Sequence, residues 1–290
     1  MRFILPILLI GGICVQTMIS CSYGSEEETL SSSSSATNIS SSSVPKTLSS
    51  SSLDCSIISS SSAGEDLCSD FDSDAEIEHY GKMKKQFCDE RDGKRYVYVE
   101  IGEQTWMAEN LNYDVCGSKC GDKKSIYGTS FLEDTNTKVC DEYGRLYDWH
   151  TALTICPAGW HLPSDEEWTA LTDYAGGESV AGTKLKSAGG DWACMYSSLL
   201  LKKTVNQMST FDCEGSTVEG TDDYGFSALP GGYGSGHTNY FYSVGEDGHW
   251  WSDTDTYCRN MLYYLSDVRK YKERRANFFF SVRCVKDLDN

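Results

Sequence analysis

Thirteen cysteines, five histidines and a crowd of aromatic rings are the residues of this 290-residue chain that could do chemistry. Cys14 lies in an apolar N-terminal run and Cys21 closes the phrase Met18-Ile19-Ser20-Cys21. Taking these two from thirteen leaves eleven: Cys55, Cys68, Cys88, Cys116, Cys120, Cys140, Cys156, Cys194, Cys213, Cys258 and Cys284. None forms a C-x-x-C pair, the spacing that builds zinc ribbons and thioredoxin-type sites. In an exported chain, scattered cysteines read as disulfides. The pairs expected locally are Cys68–Cys88 across an acidic segment, Cys120–Cys140 flanking one loop, and Cys194–Cys213. Cys258 is read as a disulfide partner as well, rather than as a thiol activated by the neighbouring Arg259. The odd count leaves a free thiol, an intermolecular bond, or a misread Cys21.

The histidines (His79, His150, His161, His237 and His249) contain no H-x-x-x-H or H-E-x-x-H spacing. No G-x-S-x-G elbow and no phosphate-cradling glycine loop is present. No catalytic residue and no cofactor is therefore expected. The aromatic residues carry the sharper hypothesis. Tyr233, Tyr240, Tyr242, Trp250 and Trp251 crowd a Gly-rich region, with Asp253 and Asp255 beside them. Flat rings stack on sugar faces and carboxylates accept hydroxyl protons, so this set is a candidate ligand surface. The two aspartates could instead hold a structural calcium. Against the ligand reading stands strand alternation, which turns at least one of Trp250 and Trp251 into a core. Asp70, Asp72 and Asp74 have the first spacing of a calcium loop, but Ala75 and Gly81 stand where Gly and Glu are needed, so the stretch reads as a solvated acidic linker. A net charge of -18 makes nucleic acid an unlikely partner and suits an exported surface.

Around these residues the chain divides into three parts. Residues 1–20 form a lipoprotein-type signal: Arg2, then an apolar run too short to span a membrane. Cys21 is the expected lipid attachment, giving the bilayer as one partner through the lipid. Met18 stands where Leu is usual, and an ordinary signal peptide is the alternative. Ser22 rather than Asp after the cysteine favours the outer membrane. Residues 21–87 are read as a flexible tether. From Ser22 to Gly64, twenty of forty-three residues are Ser, too little apolar surface to offset the entropy of ordering. Residues 88–290 are the folded part, one domain by length.

Within it, Asp92-Gly93 marks a turn and Tyr96 to Ile101 alternates as a half-buried strand. Gly102-Glu103 returns it into Gln104–Ala108. Ser164-Asp165-Glu166-Glu167 is a capping box that opens a helix with Trp168, Leu171 and Ala175 on one stripe. The box already explains its three acids without a catalytic role. Glu178–Ala188 is expected as a second helix with Val180 and Leu185 inward. Asn110 to Cys140 reads as loop. Trp250–Trp251, Met261–Val268 and Asn277–Lys286 read as strands.

Seven phrases then stand in order: Asp92-Gly93-Lys94; Ile101-Gly102 through Gln104-Thr105-Trp106-Met107-Ala108-Glu109-Asn110-Leu111; Tyr143-Gly144-Arg145-Leu146-Tyr147; Cys156-Pro157 through Gly159-Trp160-His161-Leu162-Pro163-Ser164; Gly225-Phe226-Ser227-Ala228-Leu229-Pro230-Gly231-Gly232; Trp250-Trp251-Ser252; and Ser281-Val282-Arg283-Cys284-Val285. Together they resemble the Fibrobacter succinogenes major paralogous domain, over about Asp89 to Asp287. The resemblance implies a secreted or lipid-anchored bacterial surface protein behind a Ser-rich linker, and points to no reaction. More distantly, Leu162-Pro163-Ser164 with Glu167-Trp168, and the Ser281–Val285 ending, are similar to the formylglycine-generating-enzyme family. That similarity implies an α+β, C-type-lectin-like fold: two main helices around small irregular antiparallel sheets, with long disulfide-stapled loops. It also implies a Cys156–Cys284 bond tying the first helix region to the last strand. The paired late cysteines of that family's catalytic site are absent, so an enzyme is the least favoured reading. The function expected is a surface binding or interaction module, its partner a polysaccharide or another surface protein; a purely structural envelope module is the alternative.

Overall fold

The computed structural model describes residues 66–121, 129–130, 137–192, 217–273 and 277–288. The expected signal, Cys21, the serine-rich segment, Cys55 and the expected Cys194–Cys213 pair lie outside them. In chain order the strands and helices are β1 (Glu76–His79), β2 (Lys82–Cys88), β3 (Arg95–Ile101), β4 (Gln104–Met107), β5 (Thr129–Ser130), α1 (Thr137–Tyr143), β6 (Leu146–Tyr147), α2 (Trp149–Ala152), β7 (Trp160–His161), α3 (Asp165–Tyr174), α4 (Glu178–Leu185), β8 (Tyr233–Ser235), β9 (Tyr240–Tyr242), β10 (Asp247–Trp251), β11 (Tyr257–Leu262), β12 (Arg269–Lys272), β13 (Phe278–Ser281) and β14 (Val285–Lys286). The class is α+β, mostly strand. One sheet runs β1-β2-β3-β4-β14-β7. The other runs β12-β11-β10-β13-β8-β9-β5, with β6 also paired to β13.

Local chemistry accounts for the first sheet. Gly93 takes a positive φ in the turn after β2, and the β3–β4 hairpin closes at Gly102-Glu103 with Val99 opposite Trp106. The folded part begins earlier than residue 88. Strands β1 and β2 pair antiparallel and β2 pairs β3, so residues 76–87 belong to the sheet and not to the tether. The sequence hid this because β1 is an exposed edge strand without an apolar face. Asp70 forms an ion pair with Arg95 at 3.3 Å.

The capping box forms: Ser164 Oγ accepts the Glu167 N–H at 3.1 Å, and Glu167 Oε2 accepts the Ser164 N–H at 2.8 Å. Helix α3 then buries Trp168, Leu171 and Ala175 along one stripe. Helix α4 ends at Leu185, three residues short of the expected end, and Val180 is exposed. Its inward face is Ala181, Gly182 and Leu185. A Cβ on Gly182 would lie 2.4 Å from the Asp267 carbonyl oxygen, so close backbone packing sets that face rather than the larger side chain. The expected closing strands are also each interrupted. Met261–Val268 splits between the end of β11 and the approach to β12, and Asn277–Lys286 divides into β13 and β14.

Strand β10 separates two apolar clusters. Trp250 packs with Trp106, Trp168 and Phe226, while Trp251 packs with Tyr147, Phe280 and Cys284. Successive side chains of a strand point to opposite faces, and here both faces are covered.

Candidate functional site

Five of the phrases that carry the resemblance meet in one buried polar network. Asn110 Oδ1 accepts from the Trp250 indole at 2.8 Å and from Arg283 Nη2 and Nε at 2.9 and 3.1 Å. Asn110 Nδ2 donates to the Tyr143 carbonyl at 2.8 Å. Arg283, wholly buried, also donates to the carbonyls of Phe226 and Ser227 and lies over the Phe226 ring. Burial pulls its pKa down to about 9. A buried guanidinium needs every donor occupied, and carbonyls do that here. The phrases around Asn110, Tyr143, Phe226-Ser227, Trp250 and Arg283 thus build a frame.

A second buried cluster joins that frame. Ser227 adopts φ 52°, its N–H and Oγ both donate to Asp222 (2.7 and 2.6 Å), and Lys84 Nζ donates to its Oγ at 2.8 Å. Burial pulls Lys84 down to about 8. Serine, lysine and aspartate are the residue types of an activated nucleophile. Ser227 is fully buried, however, and its N–H is spent on Asp222, so the geometry fixes a turn and presents no attacking oxygen.

The expected ligand surface divides. Trp250 and Trp251 have no exposed area, and the Trp251 indole donates to the Tyr147 carbonyl at 2.7 Å. Both are core, which corrects their placement on a ligand surface: β10 is an interior strand with both faces packed. Asp253 and Asp255 follow the C-terminal end of β10, beside the start of α3. Thr254 Oγ1 donates to Asp253 at 2.8 Å and accepts the Asp165 N–H at 3.1 Å, and Asp255 pairs with Lys272. Tyr233 lies near the other end of β10, where Gly232 bridges Gly248, so the aspartates and tyrosines are not brought together. Among the described residues no group of three or more His, Cys, Asp or Glu gathers at metal-binding distance.

The tyrosines do converge. Tyr233 stands opposite Tyr242, and Ser235 opposite Tyr240, across β8 and β9. The Tyr233 and Tyr242 rings stack at 5.2 Å, and Tyr240 continues the row at 6.5 Å from Tyr242. Tyr240 is 41% exposed; Tyr233 and Tyr242 are half-buried. Inward, the Tyr233 ring meets Phe278 at 6.1 Å and His249 edge-on at 5.0 Å, and His249 stacks on Phe280. One sheet face therefore carries aromatic rings graded from core to solvent. His249 was not singled out from the sequence. Its Nδ1 meets the Tyr271 hydroxyl at 2.7 Å, and its buried Nε2 has no hydrogen-bond partner among the described residues. The register His249–Asn260–Arg269 continues the same face across β10, β11 and β12. Strand alternation beside Tyr233 is the signal that could have found it.

The remaining sulfur and histidine positions are structural in geometry. Disulfides join Cys68 to Cys88, Cys120 to Cys140 and Cys156 to Cys284, and Cys116 is also disulfide-bonded. Cys258, expected in a disulfide, is a free thiol. It lies buried on β11 facing the Trp251 cluster, its thiol donating to the Tyr271 carbonyl, and burial pushes its pKa up to about 12. His161 bonds to Glu167 at 2.9 Å and Asp287 at 2.6 Å, tying β7 to α3 and to the C-terminal segment. Burial lowers its pKa, but the two carboxylates outweigh this and the net shift is upward.

No curated protein and no solved structure matches the chain. Comparison with known families matches residues 99–286 to one, covering the second sheet, the helices and the buried Asn110–Arg283 frame. The chain belongs to the Fibrobacter succinogenes major domain family.

Proposed function

We propose that this protein is an exported, lipid-anchored surface module whose C-type-lectin-like domain holds polysaccharide on the open aromatic face of its larger sheet. The observation that carries the reading is the row Tyr240–Tyr242–Tyr233, stacked in register and rising from half-buried to exposed. Rings held by strand pairing lose little freedom on binding, and their faces suit the flat apolar faces of pyranose rings. The sheet positions the row rigidly while the tyrosine hydroxyls supply polar edges. Lipid on Cys21 and the serine tether would hold this face away from the outer membrane.

The test is retention of the full-length protein on immobilised neutral and anionic polysaccharides. The expected outcome is binding to at least one, with affinity reduced roughly two- to tenfold per ring removed in Tyr240→Ala and Tyr242→Ala. A wild-type protein that retains no polysaccharide removes the reading and leaves a protein-contact module in its place. Anchoring is checked separately. Label from a palmitate analogue should disappear in Cys21→Ala, and label that persists there refutes the attachment site.

A further inference from the structure

Beside the aromatic row, an open groove of about 710 Å³ lies between the start of α4 and the strands β11 and β12. Its wall includes Ser179, Asn260, Asp267, Arg269, Lys270 and Tyr271. We propose that this groove is a second subsite, specific for an uncharged sugar residue of the chain held by the tyrosines; it rests on the polysaccharide reading of that face.

Two acceptors in the wall ask for donors. Asn260 Oδ1 and Asp267 Oδ1 are buried and make no hydrogen bond among the described residues. A buried acceptor left unpaired carries the full cost of its desolvation, so a ligand that brings hydroxyls is favoured there. Each residue is itself part-exposed and lines the groove, and the subsite requires a side-chain rotation that turns the oxygen towards the ligand. The first turn of α4 adds the complementary donors. Its N-cap is Gly177, with no side-chain cap, and the Val180 N–H turns back to the Gly177 carbonyl at 3.1 Å, so the donors on offer are those of Glu178 and Ser179.

The charges decide against an ionic ligand. Arg269 Nε donates to Asp267 at 3.0 Å, and Lys270 is paired with Asp165. Glu178 also lines the wall. A cation would face Arg269 and Lys270, and an anion would face Asp267 and Glu178; neither gains a net field. Hydroxyl groups, which both donate and accept, fit such a balanced wall.

The groove is linked to the aromatic row through packed side chains on the same sheet face. Tyr271 lines it and bonds through its hydroxyl to His249, whose ring rests edge-on against Tyr233. One chain can therefore stack on the tyrosines and end, or turn, in the groove. Stacking tolerates many sugars, whereas a site built to bond hydroxyls rejects ligands that lack them. The tyrosines would then supply affinity and the groove selectivity.

The experiment measures affinities of the full-length protein for β-1,4-linked glucan, xylan and mannan hexasaccharides and for an anionic oligogalacturonate. Asn260→Ala and Asp267→Asn are compared with Tyr240→Ala, each checked for wild-type melting. The groove variants should weaken the preferred neutral hexasaccharide about tenfold and the others about twofold or less, flattening the preference. Tyr240→Ala should weaken all bound sugars together. Asp267→Asn replaces one oxygen by an amide and carries the test should Asn260→Ala not fold. Unchanged affinities in both groove variants, with Tyr240→Ala weakened, would overturn the subsite and leave the aromatic face standing. Preference for the oligogalacturonate, lost in Arg269→Gln, would overturn the uncharged ligand. Failure of the wild type to bind any of these and any polysaccharide overturns both readings.

Discussion

Four tryptophans and three tyrosines of this domain come from the same aromatic-rich sequence and end in different environments. Trp106, Trp168, Trp250 and Trp251 have no exposed surface. Each indole N–H has an acceptor: the Gln104 side chain, the Trp251 carbonyl, Asn110 and the Tyr147 carbonyl. Tyr240, Tyr242 and Tyr233 sit instead on a strand face that climbs out of the core. An indole has a single donor and is buried at low cost once that donor is matched. Tyrosine keeps a hydroxyl that works equally well in water. The difference teaches that aromatic richness near Trp250 is two populations, one that holds the frame and one that lies towards solvent.

The strongest way to break this comparison is to truncate both populations. Trp250→Ala and Trp251→Ala should each cost about 3–5 kcal/mol, because a large buried side chain leaves a cavity that the surrounding sheets cannot fill. Tyr240→Ala should change stability by about 0.5 kcal/mol or less, as for other exposed positions. Urea unfolding checks both. A small loss for the tryptophans, or a large one for Tyr240, would merge the two populations into one core.

A smaller effect sharpens the boundary of the packed half. His161 titrates higher in the folded protein than in the unfolded chain, so its carboxylate contacts are fully present below about pH 6.5 and fade as pH rises through the raised value. Melting temperature should therefore fall modestly over that upward window, and His161→Gln should flatten the profile. The imidazole and Asp287 are well exposed, which keeps the effect small. The sugar binding proposed for the tyrosine face should not follow this titration. An identical pH profile in His161→Gln would remove the contribution assigned to the bridge.

Legibility followed how local each cause was. The α3 capping box, the Gly102-Glu103 hairpin and the Cys68–Cys88 and Cys120–Cys140 bonds join residues close in sequence. Turn and capping rules reach that far. Strand β1 escaped notice because an exposed edge strand carries no apolar pattern, and α4 was misaligned because Gly182 packs through its backbone. Nothing in the sequence around Cys258 sets it apart from the bonded cysteines; its free thiol follows from its buried place against the Tyr271 carbonyl. In the candidate site, Tyr233, Tyr240 and Tyr242 were legible as a cluster. His249 and Asn260 were not, since their relation to Tyr233 arises only when β8, β10 and β11 lie side by side.

The sequence by itself determined the acidic, serine-led, cysteine-rich composition, the family phrases, and the punctuation of helices and hairpins. These depend on composition or on neighbours a few residues apart. Only the tertiary structure decided which aromatics face water. Alternation along β10 says that Trp250 and Trp251 point opposite ways, but not that both sides are covered. The covering comes from α3 and Trp106 on one side and from β6 and Phe280 on the other, segments far away along the chain. Burial belongs to the assembled sheets and helices, and the open face is what their packing leaves uncovered.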